Sequence, residues 1–222
     1  MSREKVLIVA LEQHSFFTSL YTGLLTALRE KAELVLEVTT PAKAIEHLTT
    51  IPSTDVAAVL VADPAVILPK FAKVASKLVQ YARDGGTLIF GGLCSSFGRP
   101  DDFGKFFERT LILPWKFGSY HRTTFVLNPA MVAANDRFAK PFVPKSCSMK
   151  AVHIAGAAPE SRVYIATDGS VIESMVFSPT RITDRSESPV LFAEYGRGFV
   201  AWIGDVNAEA ESTAVVVAIC NL

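Results

Sequence analysis

The sequence predicts an α/β fold, an open and mainly parallel sheet with helices on both faces. Three observations carry this. The first ninety residues alternate short apolar runs with amphipathic stretches in the order β-α-β-α-β-α-β. The apolar runs lack polar alternation, as strands covered on both faces do. The junctions hold helix start and stop residues, with Pro41 and Pro69 at first turns and Asp84-Gly85-Gly86 at an end.

Each element follows from local chemistry. Val6 to Leu11 is a buried strand. Ser15 is placed to cap a helix from about Phe16 to Lys31, with Phe17, Leu20, Leu24, Leu25 and Leu28 at helical spacing. Glu33–Thr39 and Asp55–Ala62 are further strands. A helix starts at Pro41, and another runs from Pro69 through Ala82. Thr87–Phe90 is the fourth strand. The second half changes character. A short helix spans 103–110 and a strand spans 123–127. Residues 128–150, rich in Pro, Asn and Lys, are irregular with one helical turn. Short strands are expected at Val152–Ala155, Arg162–Thr167 and Val171–Phe177. The Thr167-Asp168-Gly169-Ser170 turn would join the last two as a hairpin. Pro189–Tyr195 and Phe199–Ile203 form a second hairpin through Gly196-Arg197-Gly198, and a helix from about Ala208 to Cys220 closes the chain.

Composition bounds the function. The 222 residues fit one domain, 1–222, and half of them are hydrophobic. Acidic and basic residues balance at 22 each, so no charge excess points to nucleic acid or an anionic membrane. No apolar run has the roughly 18 residues of a membrane span. Met1-Ser2-Arg3-Glu4-Lys5 lacks the layout of a secretory signal. Cys94, Cys147 and Cys220 are odd in number and widely spaced, which suits a reducing, cytoplasmic compartment.

Asp84-Gly85-Gly86-Thr87-Leu88-Ile89-Phe90-Gly91-Gly92-Leu93-Cys94 reads as a helix stop, a buried strand and a tight turn holding a thiol. In an open α/β sheet the carboxyl ends of the strands are where ligands sit. Neither Gly91-Gly92 nor Gly196-x-Gly198 follows the first strand and opens a helix, so neither is a phosphate fingerprint. No cofactor is expected, and the scattered histidines and carboxylates make no metal signature.

Two segments carry a family resemblance: Tyr81 to Gly92, and Ser188 to Asp205 with its Gly-Arg-Gly turn. The layout resembles the class I glutamine amidotransferase-like superfamily, which has a flavodoxin-like core. The two segments are similar to the ThuA-like (trehalose utilisation) branch and to related domains of β-galactosidases. Catalytic members of the superfamily carry a Cys on a sharp turn after a central strand, and Cys94 matches that address. The resemblance breaks in two places. Ser95 to Pro100 intervene before a helix, and no His follows His153 to make the late His-x-Glu of glutaminases.

The sharpest candidate site is Cys94 with Glu12 and His121. Glu12 follows the first strand and so lies at the same sheet edge, where a Glu of the PfpI-like branch meets the elbow Cys. His121 is a candidate base. Ser95, Ser96, Arg99, Tyr120 and Arg122 are candidate binders of a small anionic ligand. The structural alternatives are a buried filler thiol, a solvated Glu12 and a surface His121. Trp115 with Phe117 is either a pocket wall, a contact patch for a homodimer, or core. Asp205 and Asn207 are first of all helix-capping residues. Two functions follow. One is a non-catalytic binding or assembly protein without glutaminase activity. The other is a thiol-dependent small-molecule hydrolase or lyase using Cys94.

Overall fold

A computed structural model describes residues 5–12 and 14–222. Its frame is a six-stranded sheet built from β1 (Lys5–Val9), β2 (Leu34–Val38), β3 (Val56–Val61), β4 (Thr87–Phe90), β10 (Val190–Tyr195) and β11 (Gly198–Ile203). The spatial order is β10-β11-β4-β3-β1-β2. All neighbours are parallel except the β10–β11 hairpin. The two apolar runs at the centre, β3 and β4, are buried at every position.

Each face of the sheet carries its own core. On one side α2 (Thr22–Lys31) and α8 (Ala210–Ile219) bring Leu24, Leu25, Leu28, Val215 and Ile219 against Ile8, Leu60 and Ile89. On the other, α3 (Pro41–Thr50) and α4 (Ala72–Arg83) bring Ala44, Val74, Leu78 and Ala82 against Val9, Val59 and Leu88. Aromatic rings fill the second core. Phe103 of α6 (Pro100–Phe106) lies edge-on to Phe90 and Trp202. Trp115 is fully buried against Phe107, so it is core and not a contact patch.

The stretch expected as one helix from Phe16 to Lys31 is broken. Α short α1 (Phe17–Leu20) ends at Tyr21, where φ is −101° and ψ 22°, and α2 starts after it. Ser15 does not cap it, because Phe16 holds the cap position without a side-chain hydrogen bond. Leu20 is exposed. Pro41 starts α3 as expected, with Thr40 Oγ1 accepting from the Lys43 amide. Pro69 opens a single 3-10 turn before α4. Gly85 ends α4 in the left-handed region at φ 106°.

The second half departs further from expectation. β5 (Lys116–Leu127) and β6 (Ser146–Ala155) form a long antiparallel pair, although no strand is expected over 116–122 and 146–150 read as irregular. β7 (Tyr164–Ile165) pairs with β5, and β8 (Val171–Ile172) pairs with β9 (Thr180–Arg181). The expected hairpin between 162–167 and 171–177 therefore does not form. Its turn does exist, with the Ser170 amide donating to the Thr167 carbonyl, but both flanks find longer-range partners. α7 (Pro129–Ala134) is the one helical turn foreseen in 128–150.

The small sheet hooks onto the carboxyl end of the large one. The Val152 amide donates to the Gly204 carbonyl at 2.9 Å, and the Val206 amide to the Lys150 carbonyl at 3.1 Å. Trp202 Nε1 donates to the Val152 carbonyl at 3.1 Å. These bonds set Tyr120 and Val152 beside the turn after β4.

Candidate functional site

Glycines shape the turn after β4. Gly92 has φ 56°, and a Cβ there would lie 2.8 Å from the Ala62 carbonyl oxygen. The Leu93 amide donates to that oxygen at 2.7 Å. The chain then enters a single helical turn, α5 (Cys94–Phe97). Cys94 is thus at the carboxyl end of a central strand, as its sequence context implies.

The thiol is sealed. Cys94 is 0 % exposed, and its Sγ donates to the Val61 carbonyl at 3.4 Å. Burial pushes the thiol well above its ordinary pKa, and the nearby Asp63 carboxylate adds to this. A thiol is a nucleophile only as thiolate, and reactive thiols sit in electropositive, partly open settings. Among the described residues no cation offsets the burial here.

Asp63 organises this edge, and sequence reading did not single it out. The residue is 2 % exposed. Its Oδ1 accepts from the Ala65 amide at 3.0 Å, and its Oδ2 from the Glu12 amide at 2.8 Å. It thereby ties the loop after β1 to the end of β3, across the strands where chain order reverses. Burial raises its pKa, against the two amides that favour the charged form. The signal was present as Asp63-Pro64, an N-cap before a Pro.

The candidate trio divides. Glu12 and Cys94 share Asp63 as a neighbour. The Glu12 side chain turns to His14, with 3.8 Å between Oε2 and Nε2. His121 belongs to a different cluster. It stacks on His153, with ring centroids 4.3 Å apart. His153 is buried, and its Nδ1 lies 2.8 Å from the Ser119 carbonyl oxygen and 3.2 Å from Ser119 Oγ. Ser119 Oγ donates in turn to Glu187. Burial lowers the pKa of both histidines, that of His153 to about 4.

The candidate binders also separate. Ser95 is buried, and its hydroxyl donates to the Asp205 carbonyl at 2.8 Å. Arg122 is committed to an ion pair with Glu209 and donates to Ser148 Oγ at 3.2 Å. Arg99 is 86 % exposed and only 3.6 Å from Asp102. Arg122 is thus not presented to an anion at this edge, whereas Arg99 lies in solvent between Gly98 and Pro100 of the rim. Asp205 does not cap α8 directly; its carboxylate accepts from the Asn207 and Glu209 amides in the loop before it.

What the edge does present is an open groove of about 430 Å³. Ser95, Ser96, Tyr120 and Asn207 supply its polar lining, and Phe117 an aromatic wall. Tyr120 is 56 % exposed. Among the described residues, no group of three or more His, Cys, Asp or Glu side chains is placed to hold a metal. No described helix is long and apolar enough to cross a membrane.

No family model matches the sequence, and no curated protein matches it. Solved structures do match. A ThuA-like protein from Bacteroides uniformis superposes with a TM-score of 0.57 at 11 % identity, over 98 % of this chain and 89 % of that one. The fold is shared with ThuA-like proteins. A β-galactosidase from Bacillus circulans superposes equally well, with a TM-score of 0.57 at 12 % identity over 99 % of this chain. A β-galactosidase from the Antarctic haloarchaeon Halorubrum lacusprofundi follows at 0.52, also at 12 % identity and over 99 % of this chain. This chain spans 31 % and 30 % of those two enzymes. Identities this low speak to the fold alone, and one fold hosts many chemistries.

Proposed function

We propose that this chain is a non-catalytic binding module with a flavodoxin-like core, of the class I glutamine amidotransferase-like type, and that it takes a small polar ligand in the groove beside Cys94. One observation carries this reading. The only thiol at the carboxyl edge of the central strands is buried and hydrogen-bonded inward, while the groove next to it is open and lined by hydroxyls, an amide and an aromatic ring. Such a lining suits a hydroxylated neutral molecule such as a sugar, because its polar atoms are hydroxyls and an amide and Arg122 is already paired with Glu209. Free, buried cysteines suit a cytoplasmic setting.

A second component is assembly into a homodimer, favoured by Met175, Val176 and Phe177. These three lie fully in solvent at the β8–β9 tip, with relative exposures of 105 %, 82 % and 76 %.

The test is native-state alkylation. Iodoacetamide should leave Cys94 unlabelled near neutral pH until the protein unfolds, as located by mass spectrometry. Rapid labelling of Cys94 in the folded protein would overturn the reading in favour of a thiol-dependent hydrolase or lyase.

A further inference from the structure

A second, smaller and narrower space shares the 205–209 loop with the groove. Its volume is about 20 Å³, enough for one water-sized occupant. Leu24, Leu60 and Val216 wall it, and Tyr21, Asp205, Glu209, Ser212 and Thr213 bring polar groups to it, the Asp205 carboxylate already receiving the Asn207 and Glu209 amides. Tyr21 and Ser212 are each 4 % exposed. Tyr21 Oη, Ser212 Oγ and Glu209 Oε2 are all buried without a hydrogen-bond partner among the described residues. Orphaned buried polar atoms are rare, and three on the lining of one cavity call for a common partner.

Donor and acceptor counts choose that partner. Tyr21 and Ser212 each offer a hydroxyl proton, and burial keeps the Tyr21 phenol protonated by raising its pKa. Glu209 Oε2 only accepts, since Oε1 already receives Arg122 and Asn207 Nδ2. A water molecule accepts twice and donates to the carboxylate, which serves all three groups.

We infer that one water molecule is a resident part of this protein, bound between Tyr21, Ser212 and Glu209. It joins the α1–α2 junction to the first turn of α8. It also steadies Glu209, whose other oxygen holds Arg122 and Asn207 at the back of the groove.

Oxygen-17 magnetic relaxation dispersion reads such long-lived waters directly. The wild-type protein should show one more than the Tyr21→Phe, Ser212→Ala double variant. Equal dispersion amplitudes in two folded proteins would overturn the inference. A high-resolution crystal structure of the wild-type protein decides the matter independently of the variant. A single peak within hydrogen-bonding distance of all three atoms supports it. A dry cavity that takes up xenon, or an anomalous rubidium peak there after a soak, refutes it.

Discussion

Acidification should weaken this fold through His153. The residue is 1 % exposed and packed against His121 and Phe125. Its Nδ1 proton is used by the Ser119 carbonyl, so the neutral ring is already satisfied on that side. Burial, reinforced by His121, holds the native pKa at about 4, against 6.5 in the unfolded chain. The unfolded state therefore binds the proton first as pH falls, and stability is lost between those two values. Linkage gives a loss of about 2 kcal/mol on going from about pH 7.5 to about pH 5, approaching about 3.4 kcal/mol below pH 4. His121, lowered in the same direction, adds to the slope. Urea unfolding at the two pH values measures this. His153→Phe will carry a constant cost from the stranded Ser119 carbonyl, but its loss between the two pH values should be smaller than the wild-type loss by about 2 kcal/mol. Equal pH slopes for the two proteins would refute the reasoning.

Gly198→Ala should also destabilise. Its Cβ would lie 2.5 Å from the Ala82 carbonyl oxygen and nearer still to that of Gly86, with rigid backbone on every side. A cost of about 1–3 kcal/mol is expected, a fall of about 2–4 °C in Tm for each kcal/mol; an unchanged melting curve would show that the hairpin can step aside. At the other end of the molecule, replacing Met175, Val176 and Phe177 by Ser should leave Tm within error and abolish self-association in light scattering. A wild-type protein that stays monomeric at high concentration would remove the dimer.

The sequence spoke clearly where residues are buried on both faces. Val6–Val9, Val56–Val61 and Thr87–Phe90 are uninterrupted apolar runs, and each is a strand of the large sheet. The Tyr195 to Phe199 turn was equally plain, because its glycines are spaced for a tight hairpin. Of the long β5–β6 pair only 123–127 and 152–155 were legible as strands, for a physical reason. Lys116, Ser119, Tyr120 and Lys150 are polar or exposed, since one face of that pair meets solvent, and the register shifts between Phe117 and Tyr120. The break at Tyr21 was hidden because Phe17, Leu24 and Leu28 keep helical spacing across it.

The site was read by position more than by partners. Cys94, Ser95 and Ser96 lie at the carboxyl edge because strand order puts them there, and Tyr120 reaches it through the bonds between the two sheets. Their contacts depend on pairings far apart in sequence, such as Asp63 with the Glu12 amide and Arg122 with Glu209. His153 sits in a strand whose inward face only the tertiary fold decides, so its stacking on His121 was out of reach.

The two stretches that carry the family likeness meet each other in space. The Phe199 amide donates to the Gly86 carbonyl at 2.9 Å, and the Arg197 amide to the Arg83 carbonyl at 3.0 Å. This junction closes the amino end of β4, while Cys94 and the groove lie beyond its carboxyl end, roughly 13 Å of strand away. The Gly85-Gly86 and Gly196-Arg197-Gly198 part of these stretches is therefore a clasp that locks the hairpin to the sheet, while their other ends, Gly92 and Asp205, reach the opposite rim. In this chain the clasp fixes the architecture at one end of β4, and the open groove lies at the other end of the same strand.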